Sequence, residues 1–95
     1  MQHVLARITV RPEYAAQARA LLEELVSHSR REAGCVSYEL YRRADAGHVF
    51  QTVEAWKDAA AVDAHMKSTH VAAAIATATP MFAAPPEIVS FEKLT

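Results

Sequence analysis

This 95-residue chain has one cysteine, two glycines, no surplus of either charge and no long apolar run. Each shortage removes a class of protein. Cys35 has no partner for an internal disulfide and cannot build a cysteine-rich metal cluster. Two glycines leave nothing for a phosphate-cradling loop, and no Cys/His set stands at zinc spacing, so neither a nucleotide cofactor nor a metal is expected. Lys and Arg number 10 against 11 Asp and Glu, for a net charge of −1. Without a basic patch, neither nucleic acid nor an anionic membrane surface is an expected partner. No apolar stretch approaches the roughly 20 residues that a membrane helix requires. The first residues alternate instead of forming the apolar block of a signal peptide, so the expected setting is soluble and cytoplasmic.

What the chain has in excess is apolar surface. Its residues are 52% hydrophobic, yet a chain of this length buries only roughly 60–65% of its unfolded surface. One domain spanning residues 1–95 is expected, with apolar surface left over for self-association to cover.

Residues 3–11 alternate, with Val4, Ala6, Ile8 and Val10 on one face and His3, Leu5, Arg7 and Thr9 on the other, which reads as a strand. Pro12 suits the first turn of a helix, where its missing N–H is not needed. From there Tyr14, Ala18, Leu21, Leu22, Leu25 and Val26 recur at helical spacing opposite Glu13, Gln17, Glu23, Glu24 and Arg30. The pattern predicts an amphipathic helix of about five to six turns, and Gly34 is expected to stop it in a left-handed conformation. Two strands follow, Cys35–Arg43 and 48–56, joined by a turn at Ala44-Asp45-Ala46-Gly47 into a hairpin. Asp58 is the expected N-cap of a helix over 59–67. A further short helix over 71–79 stops at Pro80, and 87–94 reads as a last strand.

The order β-α-β-β-α-β is the ferredoxin-like arrangement of an α+β domain. Right-handed crossovers place the first and third strands in the middle of a four-stranded antiparallel sheet, with the helices on one face. Both hairpin strands carry large residues on both faces. The uncovered face is therefore expected to pack against a second copy, as a homodimer.

Three local patterns carry more than fold. They are Glu32-x-Gly34-Cys35-x-x-Tyr38 after the first helix, Phe50-x-x-x-Glu54-x-Trp56-x-Asp58 across the third strand, and Ala64-His65-x-x-Ser68-x-His70 on the second helix. Through them, and over essentially its whole length, the chain resembles the antibiotic biosynthesis monooxygenase (ABM) family. These are small dimeric α+β barrel proteins that include quinol monooxygenases. The resemblance implies oxidation of a quinol, or another dihydroxy-aromatic or polyketide-like substrate, by dioxygen. In such a reaction the substrate itself supplies the electrons, so the site needs a base and a dry pocket but no flavin or metal. The family's haem-degrading branch relies on an Asn, Trp and His set, and this chain contains no asparagine. Two alternatives stay open: an isomerase of a small dicarbonyl phosphate, and a non-catalytic dimeric ligand-binding or stress-response module.

His65 is the leading base, because imidazole titrates near neutrality and can take a phenolic proton. It stands on the helical stripe Val62, His65, Met66 and Thr69. Glu54 is the second catalytic candidate. A carboxylate between Phe50 and Trp56 is costly to bury unpaired, and Arg7 on the neighbouring strand is its expected partner. Trp56, Tyr38, Phe50 and Met66 are expected to line a pocket for a planar aromatic ligand between the sheet and the second helix. His70 and Arg7 complete the substrate-binding set. His65 and His70 stand five residues apart and off a common helical face, so they are not expected to form a metal site.

Overall fold

The computed structural model describes residues 1–95. Strand β1 (Gln2–Thr9) leads through a 3-10 turn at Pro12–Tyr14 into α1 (Ala15–Arg30). The hairpin of β2 (Cys35–Arg43) and β3 (Ala46–Trp56) follows, then α2 (Ala59–Met66), α3 (Thr69–Ala78), a 3-10 turn at Thr79–Met81 and β4 (Glu87–Phe91). The sheet order is β2-β3-β1-β4 and every pairing is antiparallel. This is the ferredoxin-like α+β arrangement, with β1 and β3 central and the second crossover divided into two helices. None of the helices is long and apolar enough to cross a membrane.

Alternation along the strands separates the two faces of the sheet. The register pairs Val4 with Glu54, Ala6 with Thr52 and Ile8 with Phe50, so all six point to the helical side. There the buried stripe of α1, Ala18, Leu22, Val26 and Ser29, recurs at helical spacing and closes over them. The core forms as two clusters, Val4, Val26, Tyr38 and Trp56 at one end and Val10, Ala18, Leu22 and Phe50 at the other. On the opposite face, Val89, Leu5 and Val53 form one row across three strands. Nothing in the chain covers that row: Val53, Val89 and Phe91 are 39%, 49% and 52% exposed.

Two local expectations are corrected. Pro12 does not begin α1; it opens a separate 3-10 turn, and the α-helix starts at Ala15. Gly34 does not adopt a left-handed conformation, since no residue has positive φ. The α1 C-cap is Arg31 in right-handed geometry. A Cβ on Gly34 would instead overlap the Cβ of Ala61 on α2. The glycine is there for close approach, letting the start of β2 lie against α2.

The break between α2 and α3 is built by one side chain. Asp58 caps α2 by accepting from the Ala61 amide at 2.8 Å. At the far end, the Ser68 hydroxyl donates to the His65 carbonyl at 2.6 Å and accepts from the Val71 amide at 3.4 Å. It thereby satisfies a free carbonyl at the end of one helix and a free amide at the start of the next. The chain turns at this point, and His70 is carried around with it.

Candidate active site

A cavity of about 170 Å³ lies between the helical face of the sheet and helices α1 and α3. Its walls are Val4, Ala6 and Ile8 of β1, Leu21, Leu22 and Leu25 of α1, Val71, Ala74, Ile75 and Ala78 of α3, with Met66, Phe82, Pro86 and Ile88. Alanines at 74 and 78 explain why space remains: a methyl side chain cannot span the gap that a helix packed on a sheet would otherwise fill. The polar groups gather at one end, where Tyr38, Thr52, Glu54 and His65 line the wall.

His65 is buried, at 4% exposure, on the inward side of α2. Its ring packs on Trp56 with centroids 4.4 Å apart and lies 5.7 Å from the Tyr38 ring. Nδ1 is 2.6 Å from Oε2 of Glu32, and that same oxygen is 3.0 Å from Nε2 of His70. Nε2 of His65 makes no hydrogen bond within the chain, on a ring that lines the cavity.

Glu54 is also buried, at 4% exposure, and its two oxygens are both used. Oε2 accepts from the Thr52 hydroxyl at 2.6 Å and Oε1 from the Trp56 indole N–H at 2.9 Å. Thr52 in turn accepts from the Ala6 amide at 3.1 Å, which ties this cluster to β1. Burial, reinforced by the Glu54 carboxylate, pushes the Tyr38 hydroxyl well above the ordinary tyrosine range, so it stays an O–H donor. Burial also raises the Cys35 thiol, with Glu32 and Glu54 adding to the effect, which suits a small packing residue and not a thiolate nucleophile.

His65, Tyr38, Met66 and Glu54 of the expected set meet around the cavity. Phe50 instead packs with Val10, Ala18 and Leu22 in the core. Trp56, fully buried, supports the His65 ring from behind. Arg7 is corrected outright: it points to the other face and pairs with Glu87 at 3.4 Å, so Glu54 is stabilised by neutral hydrogen-bond donors and not by an arginine. Strand parity is the reason, because Arg7 pairs with Gln51 while Val4 pairs with Glu54.

The relation of His65 to His70 is corrected as well. Their spacing argues against a shared face only on one continuous helix, and the Ser68 break lets both imidazoles converge on Glu32. The ligand atoms of Glu32, His65 and His70 lie within 4.8 Å of one another, a donor set able to hold a small cation. As the chain stands, hydrogen bonds among these atoms already engage Nδ1 of His65, Nε2 of His70 and the shared oxygen. Glu32 is the residue that sequence reasoning passed over. The only signal was its place at the head of the first motif. His70 also stacks on His28, with centroids 5.7 Å apart and planes 20° apart, in a groove between α1 and α3.

Residues 1–77 match the family model described as antibiotic biosynthesis monooxygenase. The chain is 32% identical over 87 residues to YcnE of Bacillus subtilis (strain 168), a protein provisionally named a monooxygenase, covering 92% of each. It is 39% identical over 67 residues to Rv0793 of Mycobacterium tuberculosis, which bears the same provisional name, covering 70% of this chain and 65% of that one. The solved structure of Rv0793 aligns with a TM-score of 0.92 at 31% identity over 99% of this chain and 95% of that chain. A crystal structure described as an antibiotic biosynthesis monooxygenase aligns over the whole of both chains with a TM-score of 0.95 at 25% identity. Sequence, fold and relatives agree: the chain belongs to the antibiotic biosynthesis monooxygenase family.

Proposed function

We propose that this protein is a monooxygenase that oxidises a small quinol-like aromatic with dioxygen, using His65 as the base. One observation carries the reading: a buried imidazole with a free ring nitrogen at the polar end of an otherwise apolar cavity. A quinol hydroxyl placed there loses its proton to Nε2 of His65. The resulting electron-rich ring gives electrons to dioxygen, one oxygen atom goes onto carbon, and the other leaves as water. The substrate supplies all the electrons, so the reaction calls for no added reductant. Tyr38, held as an O–H, donates to a substrate oxygen. Glu54 fixes the Thr52 and Trp56 donors, and so holds the wall against which His65 packs.

Cavity size narrows the substrate. An apolar cavity of about 150 Å³ holds benzene, and this one is about 170 Å³. A single ring or a compact fused pair fits within it, and a tricyclic anthrone protrudes through its open side. Charge argues against the dicarbonyl phosphate isomerase. No lysine or arginine lines the cavity, Arg42 lies in a separate cleft with Arg19 and Glu23, and the Glu54 carboxylate repels a phosphate. Oxygen uptake with benzene-, naphthalene- and anthracene-based hydroxy-aromatics, in chelator-treated buffer, tests this. Turnover is expected for the one- and two-ring substrates. Uptake with none of them, in protein that binds them, favours the non-catalytic module.

The same reading includes a homodimer through the outer sheet face, supported by the row in which half-buried Leu5 lies between exposed Val53 and Val89, beside exposed Phe91. An apolar strip of this kind, rimmed by the Arg7–Glu87 pair, suits burial against a second copy. Val53→Asp is expected to convert the dimer to monomer in sedimentation. A wild-type chain that sediments as a monomer at micromolar concentration contradicts this part of the proposal.

A further inference from the structure

Glu32 belongs to neither the cavity wall nor the core clusters, yet it touches both histidines that the sequence singles out. It lies in the turn after α1, held by its own amide bonded to the Ser29 carbonyl and its carbonyl bonded to the Cys35 amide. From there its carboxylate reaches residues 33 and 38 positions further along the chain. Side-chain exposures of 18% for Glu32, 5% for His65 and 22% for His70 make the cluster largely dry, which strengthens every hydrogen bond in it.

We propose that Glu32 is the positioning residue of the base: it fixes His65 as the Nδ1–H tautomer and turns the lone pair on Nε2 toward the cavity. An ionised carboxylate only accepts hydrogen bonds. Both ring nitrogens facing Oε2, Nδ1 of His65 and Nε2 of His70, must then be donors. A neutral His65 with its hydrogen on Nδ1 has its one basic nitrogen at Nε2. Two donors on a single oxygen also keep the carboxylate from turning, with His70 braced from outside by its stack on His28.

The assignment rests on the reading of His65 as the base for its kinetic consequence, but the tautomer stands independently of it. When a substrate O–H bond breaks, the proton goes to Nε2 and the imidazolium forms beside the Glu32 charge. That proton later returns to the oxygen that leaves as water, so none is lost from the site. Glu32 takes no proton in this scheme. In other histidine-based sites, replacing the orienting carboxylate by its amide costs about 10⁴-fold in turnover through the wrong tautomer.

The test is nitrogen-detected NMR of the imidazoles in mildly alkaline buffer, together with steady-state kinetics on a one-ring quinol. Wild type is expected to show His65 protonated on Nδ1 and bare on Nε2. Glu32→Leu removes the acceptor altogether, and is expected to release His65 from the Nδ1–H form and lower kcat by about 10²–10⁴-fold with KM nearly unchanged. Glu32→Asp, still an acceptor only, is expected to keep the Nδ1–H signature. The proposal is overturned if wild-type His65 carries its proton on Nε2, or if Glu32→Leu keeps both tautomer and kcat. It is overturned equally if a chelator changes the wild-type imidazole spectrum, for then the three side chains hold a cation. Absence of oxygen uptake by wild type refutes the monooxygenase reading alone and leaves the tautomer result to decide the role of Glu32.

Discussion

Two sheltered carboxylates flank the packed Trp56–His65 pair, and their partners are of opposite kinds. Glu54, on β3, accepts from a threonine hydroxyl and an indole N–H, groups that keep their protons throughout the ordinary pH range. Glu32, in the turn after α1, accepts from two imidazoles, the side chains that exchange protons near neutrality. Both satisfy the rule that a buried charge needs hydrogen bonds. Only one of them is wired to groups that can change charge. The contrast teaches that burial of an acid says little about its chemistry until the donors around it are named. The Glu54 end is a fixed frame, and the Glu32 end is where a proton can be managed.

The frame can be tested by removing its donors. Trp56→Phe keeps an aromatic ring under His65 but strips Oε1 of Glu54 of its donor, and should destabilise the fold by about 1.5–3 kcal/mol in chemical denaturation. Glu54→Gln leaves an acceptor in place and removes a charge, so a smaller loss of about 1 kcal/mol is expected. A loss in Glu54→Gln larger than in Trp56→Phe would mean that the charge itself, and not its hydrogen bonds, holds this end together.

Tyr38 supplies the smallest and most specific test of the frame. Its hydroxyl is pushed up by burial and then by Glu54, so folded protein holds that proton more tightly than unfolded protein does. The stability this represents is complete below the ordinary tyrosine pKa of about 10 and is lost as pH rises above it. Tyr38→Phe should therefore flatten the alkaline limb of the stability profile while leaving the neutral region little changed in slope. An unaltered alkaline limb would show that the Tyr38 hydroxyl is not sheltered as described.

Much of the frame was legible in the sequence. Alternation in β1, the pairing of β2 and β3 as a hairpin, the Asp58 cap and the inward place of His65 on its helix each follow from local chemistry, and the structure carries all of them. Pairings across strands were less legible. Arg7 and Glu54 lie on adjacent strands, but a one-residue difference in register decides which face each occupies, and the true register puts them on opposite sides. The Glu32 cluster was hidden for a different reason. Periodicity describes residues inside helices and strands, while Glu32 sits in a turn and His70 beyond a helix break that depends on a single serine hydroxyl. The cavity was half visible: alanines crowd residues 59–84, but that Ala74 and Ala78 would face the sheet across from Leu21 and Leu25 required the packing of α3 on α1.

The proposed function depends most on His65 acting as a base without a metal. The direct measurement is oxygen uptake with a one-ring quinol in chelator-treated buffer, comparing wild type, His65→Ala and His48→Ala. Removing a positioned general base typically lowers turnover by about 10²–10⁴-fold, and that loss is the result expected for His65→Ala, with the variant still folded and His48→Ala unaffected. Undiminished turnover in His65→Ala, or wild-type activity abolished by the chelator, would contradict it.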